Sequence, residues 1–362
     1  MESPDPSHPI ISPGLQVPAS SSTVDVRVID TNTRLYLKPG VFWEPILRGF
    51  DGPHAPIYCF LISHDKHHIL FDLGVRTDWE NHAPKIVRLI KSTTEVTCCE
   101  KDVASILDDD TTDLGIRSTD IEAIVWSHSD FDHVGDPSRF PHTTELVVGP
   151  GVRKRSWPGY PSNPDGTVLD SDAAGRVVRE ISFDGTSMKV GGFDAFDYFG
   201  DGSFYLLDAP GHAPGHMCAL ARTTADPPSF VFMGADACHH AGVLRPSKYI
   251  PLPRPMPSRN WESCGGCPGA LLVKLAAWQS SSEPFFQVAR GPLFCDHEAS
   301  METVAKIQKL DAVGNVLVIL AHDASLDGRL VLFPECVNDW KAKGLGEATR
   351  WLFCRELENV EP

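Results

Sequence analysis

Long apolar runs are missing from this chain: no stretch reaches the roughly 18 consecutive apolar residues that a membrane span requires. Basic charge is scarce as well. Lys and Arg number 32 against 48 Asp and Glu, a formal net charge of −16, which disfavours nucleic acid or an anionic membrane as partner. The N-terminal stretch Met-Glu-Ser-Pro-Asp-Pro-Ser-His-Pro lacks the basic start and apolar core of a signal peptide. Its 10 cysteines are therefore expected as reduced thiols, and a cytoplasmic location is expected with them. The one Cys-x-x-Cys, Cys264-Gly-Gly-Cys267, has no second pair and reads as an ordinary turn. No internal repeat is visible. What is there is 362 residues with 42% hydrophobic content, enough to bury one large core.

Residues 126–136, Trp-Ser-His-Ser-Asp-Phe-Asp-His-Val-Gly-Asp, carry most of the information. They set His128, Asp130, Asp132 and His133 on the loop that leaves a buried run, Ile121–Trp126. Taken alone, the segment reads equally well as a polar surface loop. Three further places shift that balance. His212 and His216 follow Phe204–Leu207, Asp236 follows Phe230–Met233, and His322 follows Val316–Ala321. Imidazole and carboxylate together suit zinc, iron or manganese, and the absence of thiolate argues against a closed structural zinc site. Hydrolysis at a metal centre is the chemistry this pattern points to.

Along the chain, the Pro/Ser-rich residues 1–22 read as a flexible arm and 356–362 as a tail. Val24–Ile29 alternates as an edge strand does, and Ile57–Ile62 pairs with His68–Asp72 across a turn. Residues 83–109 have mixed character, helical at Asp102–Leu107 and extended at 93–97. Strands are expected at 121–126, 145–148, 177–183, 204–208, 230–233 and 316–321, and helices at 299–310 and 335–343. The long Pro/Gly-rich connections 150–170 and 243–297 are of a length that usually carries function.

In order, spacing and hydrophobic context, residues 23–355 resemble the metallo-β-lactamase superfamily, in particular its lactonase-like branch of N-acyl homoserine lactonases and fungal lactone and lactam hydrolases. The family motif His-x-His-x-Asp-His is matched at His128, Asp132 and His133, with Asp130 in place of the middle His. Pro210-Gly-His-Ala-Pro-Gly-His216 matches the second motif, Gly234-Ala-Asp236 the third, and Leu320-Ala-His-Asp323 the fourth. Ile69–Gly74 resembles the family's Asp-x-Gly strand end. The resemblance implies an α/β fold, an αββα sandwich with the metal site at the strand ends, in one domain of 23–355 with halves near 23–220 and 221–355. It also implies two divalent metals, held by His128, Asp130 and His216 on one side and by Asp132, His133 and His322 on the other. Asp236 would bridge them.

Asp130 adds a negative charge to the first site, so alongside zinc it brings iron or manganese into range. His212 reads as a residue that orients backbone. Where the lactonases place a substrate-binding Tyr, three residues after the bridging Asp, this chain has His239, which could donate to the substrate oxygen or protonate the leaving group. Asp132 and His239 are the expected catalytic side chains. Tyr249, Trp261 and Trp157, with Tyr160, Phe285 and Phe286, are candidates for contacting an aromatic substrate. The expected activity is opening of a lactone or lactam in a small molecule. The alternatives are a thioesterase, or a non-catalytic sensor with a degenerate metal site. A homodimer is left open.

Overall fold

The computed structural model describes residues 11–12, 14–109, 112–253, 271, 274 and 280–361. Two six-stranded sheets carry the fold. The first runs in chain order through β1 (Asp25–Asp30), β2 (Tyr58–His64), β3 (His67–Phe71), β4 (Ala123–Val125), β5 (Glu145–Val148) and β6 (Val178–Glu180). β1, β2 and β3 are antiparallel neighbours, whereas β3 to β6 are parallel. The second sheet orders β7 (Lys189–Val190), β8 (Phe193–Asp197), β9 (Phe204–Asp208), β10 (Met217–Ala225), β11 (Pro228–Met233) and β12 (Val316–Ile319). It is antiparallel up to β11, and β12 lies parallel to β11.

Alternation along each strand decides which layer a side chain joins. Phe60, Phe71 and Val125 of the first sheet meet Phe204, Leu206, Met217, Ala219, Val231 and Ile319 of the second in one core between the sheets. Their strand neighbours point outwards. Leu61, Leu70, Ile124 and Leu146 cover Val103, Ala104 and Leu107, while Tyr205, Leu207, Leu220 and Val318 cover Val304, Ile307 and Leu310. Each such side chain, fully buried, contributes about 1.5–3 kcal/mol. The layers are therefore helix, sheet, sheet, helix.

Four helices matter to the site: α1 (Pro84–Thr93), the single turn α2 (Phe131–Val134), α3 (Val152–Ser156) and α4 (His297–Asp311). α4 begins where the Asp296 carboxylate accepts the Ala299 N–H at 3.0 Å. Ser300, Thr303, Val304, Ile307, Leu310 and Asp311 form its buried stripe at helical spacing.

Several expectations are corrected. The helix expected at 335–343 is a series of turns, because Val337 N–H bonds to the Val26 carbonyl at 2.9 Å and ties the segment to β1. Residues 83–93, read as mixed, are mostly α1. The strand β10 has no counterpart in the sequence reading, since Arg222 interrupts its apolar run. Arg222 is buried, donating to the carbonyls of Gly202 at 3.0 Å and Pro18 at 2.7 Å. The two sheets divide between β6 and β7, at 181–188, rather than near 220. Within the segment read as a flexible arm, Ser12 Oγ donates to the Lys309 carbonyl at 2.8 Å and the Gln16 carbonyl accepts from Gly191 at 3.2 Å. In the segment read as a tail, Leu357 and Val360 are buried in the core.

Candidate metal centre

β4 delivers Trp126 to the end of the first sheet, where its indole N–H donates to the Val134 carbonyl at 3.2 Å and pins the loop between them. Asp130 sits at the start of α2, and Asp132 and His133 lie within its single turn. Gly135 ends the turn at φ 50°, in contact with Leu73, where a β-carbon would overlap that side chain. β11 carries Asp236 to the same edge, β12 carries His322, and the turn after β9 carries His212.

The side chains converge in two overlapping groups around Asp236. Its Oδ1 stands 3.0 Å from His133 Nε2 and 3.2 Å from His322 Nε2. Asp132 Oδ2 is 3.2 Å from the same His322 nitrogen. On the other side, Asp236 Oδ2 lies 3.0 Å from His239 Nε2, 3.5 Å from His212 Nε2 and 3.7 Å from His128 Nε2. Asp130 Oδ2 is 3.3 Å from His212 Nε2 and 3.5 Å from His128 Nε2.

These spacings fit divalent ions. Ligand atoms about 2.1 Å from a tetrahedral zinc ion stand roughly 3.4 Å from one another. The far ring nitrogens are held by the protein. His133 Nδ1 contacts Asp72 at 2.9 Å, His322 Nδ1 contacts the Pro56 carbonyl at 3.0 Å, and His128 Nδ1 contacts Ser127 Oγ at 3.0 Å. Asp72 also accepts the Ser127 N–H at 2.7 Å. This is the arrangement that fixes ligating imidazoles and leaves Nε2 available to a metal. The Nε2 atoms of His128, His133, His212 and His322 and Asp236 Oδ1 are all buried without a hydrogen bond, a costly state for polar atoms unless a cation completes them.

The charge states carry the same signature. Burial alone would lower the imidazole of His322, but Asp236 and Asp132 push it up to about 10. His133 is likewise raised well above its ordinary value by Asp236, Asp132 and Asp72, against the effect of burial. The carboxylates demand positive charge, which protons supply when metal does not. His239 goes the other way: burial lowers it to about 4 despite Asp236, with Phe42 and Phe294 packed against its ring. A neutral His239 cannot act as a charged acid towards a leaving group near neutral pH.

His216 and His212 exchange the places expected for them. His216 Nδ1 donates to the Ala209 carbonyl at 2.8 Å and its Nε2 accepts the Asp236 N–H at 3.2 Å, so both ring nitrogens are engaged. His212 has neither nitrogen in a hydrogen bond and faces Asp130 and Asp236. The preceding Gly211 lies against α4, where a β-carbon would overlap Ser300. That close approach aims His212 inward.

A cavity of about 480 Å³ opens over the group, with Asp130, Asp132, His212, Asp236, His239 and His322 at its floor. Leu35, Leu37, Phe42, Ile86, Leu89, Phe131 and Leu293 supply its apolar wall. The aromatic residues singled out in the sequence that the structure describes are elsewhere. Trp157 stacks on Trp126 at 5.8 Å and its N–H donates to the Leu169 carbonyl. Tyr249 lies under Lys248, and Phe285 and Phe286 are in the core. Tyr160 packs beneath α1. Trp261, Cys264 and Cys267 lie outside the described residues. Phe42, Phe131 and α1 went unnoticed because nothing local in their sequence marks a cavity wall.

A model of the metallo-beta-lactamase superfamily matches residues 52–221. The metallo-hydrolase mfmC of Annulohypoxylon moriforme is 61% identical over 97% of this chain and 92% of its own length. The gamma-lactamase FDB1 of Fusarium pseudograminearum is 43% identical over 97% of this chain and 86% of its own. The chain also matches longer Penicillium proteins, of which it spans 39%. Among solved structures, an N-acyl homoserine lactone hydrolase bound to its hexanoyl-homoserine product superposes with a TM-score of 0.57 at 15% identity, over 87% of this chain and 99% of that one. The likeness to that structure extends to the fold. With its relatives and its fold in agreement, the chain belongs to the metallo-β-lactamase superfamily.

Proposed function

We propose that the chain is a metal-dependent hydrolase that opens a cyclic ester or amide, a lactone or lactam, in a small molecule. The observation that carries this is the convergence on Asp236 of four buried imidazole nitrogens, none of them in a hydrogen bond, at the floor of an apolar cavity. The relatives named as metallo-hydrolase and gamma-lactamase agree with it.

Two divalent cations, when bound, activate water as a nucleophile at neutral pH and polarise the carbonyl it attacks. His128, Asp130 and His212 would hold one, and Asp132, His133 and His322 the other, with Asp236 shared between them. Asp72 and the Pro56 carbonyl keep the His133 and His322 rings turned to the site. His239, neutral and beside Asp236, would restore to the first site the imidazole that Asp130 removes. The apolar wall excludes water and seats the ring of the substrate. Zinc is the metal first expected, with iron or manganese as candidates through the carboxylate at 130.

Metal analysis with an activity screen tests the proposal. The purified protein should hold about two equivalents of transition metal, and lactone or lactam opening should cease on chelation and return on adding the metal. Protein that binds ligands without metal would support the sensor reading instead. Exclusive action on acyl thioesters would support the thioesterase.

A further inference from the structure

Beyond the aspartates of the centre, the lining of the cavity carries charge of the sign opposite to the molecule. Acidic residues outnumber basic ones by 48 to 32 in the chain. Apart from the three aspartates of the centre, however, every acidic or basic side chain lining the cavity is cationic: Lys85, Arg88 and Arg155. All three are exposed. None forms an ion pair or side-chain hydrogen bond among the described residues.

Two elements present these cations. α1 is fixed from beneath by Ile86 and Ile90, which pack with Ala83. Lys85 and Arg88, three positions apart, then lie on neighbouring turns with Leu89 and Ser92, all lining the cavity. α3 brings Arg155 to it. Leu89 is 38% exposed beside these charges, one of few large hydrophobic side chains left so open among the described residues. A small anion meets long-range repulsion from a chain of net charge −16. Screening confines that repulsion to about 8 Å at physiological salt, so nearby cations decide what enters.

We infer that the natural substrate is an anion: a ring-bearing lactone or lactam with a carboxylate or phosphate remote from the scissile carbonyl, held by Lys85, Arg88 and Arg155. Held at the mouth, the anion is kept off the metals while the carbonyl reaches them. The inference rests on the hydrolytic reading and refines it.

The test compares one aryl-substituted γ-lactone as its carboxylate, its phosphate monoester and its neutral methyl ester, with metal-loaded enzyme. kcat/KM should favour the anions by about 10–100-fold, mainly through KM, as one or two charge-assisted hydrogen bonds allow. Which anion is preferred identifies its source. The preference should shrink as salt rises, and Arg88→Glu and Arg155→Glu should each erode it with metal content unchanged. Arg155→Lys should retain part of it. Equal turnover of anion and ester, or a preference that survives both charge reversals, overturns the inference. If no lactone is opened at all, the hydrolytic reading fails. Binding of the carboxylate against its ester to the metal-loaded protein, by calorimetry, then reads the cationic mouth separately, and equal affinities overturn it.

Discussion

His212 and His216 sit in one seven-residue stretch, and nothing in Pro210-Gly-His-Ala-Pro-Gly-His216 says which of them faces the centre. The backbone decides. His216 serves as a tie between the Ala209 carbonyl and the Asp236 N–H, leaving His212 to point at Asp130. His212→Ala should therefore cut bound metal towards one equivalent per chain and lower activity about 100-fold or more. His216→Ala should chiefly reduce thermal stability, since it strips partners from buried backbone groups. The reverse pattern in metal analysis would return His216 to the ligand set. A second prediction concerns pH. In the metal-free chain His322 is raised to about 10 and His133 is raised well above its ordinary value, so both hold protons near neutrality. Ligation needs them neutral, so each binding event that displaces a proton strengthens about tenfold per pH unit. Competition against a chelator between pH 6 and 8 should show metal affinity rising with pH, and a flat profile would contradict these protonation states.

At the scale of elements, strands with strong apolar patterns were legible and the connecting pieces were not. β2, β3, β5, β9 and β12 fall where the alternation or continuous runs put them. β7 and β8 escaped notice, as Lys189–Val190 and Phe193–Asp197 are short and half polar, and only pairing completes them, β7 with β8 and β8 with β9. Arg245 shows the same limit. Leu244-Arg-Pro-Ser carries no local sign of a partner for its Arg, yet in the fold the guanidinium bridges elements. It donates to Asp311 on α4 at 2.7 Å through Nε and to the Arg350 carbonyl at 2.9 Å. Side-chain exposure is only 11% for Arg245 and 5% for Asp311. Asp311→Ala would leave a buried, uncompensated cation, with an expected cost of about 3–5 kcal/mol. Denaturant unfolding should show that loss, and a change under 1 kcal/mol would mean the pair contributes little.

Across the whole molecule, the two sheets close a single core and bring residues from 72 to 322 onto one edge. No helix among the described residues is long and apolar enough to cross a membrane. Family membership and the metal chemistry could be read from the chain itself, because ligand types and strand ends are local properties that recur in a fixed order. The orientation of each ring, the orphaned Nε2 atoms and the cations of α1 and α3 over the cavity belong to tertiary structure. Those depend on which backbone groups claim a given nitrogen and which helix face is left open, and both are set by packing between segments far apart in sequence.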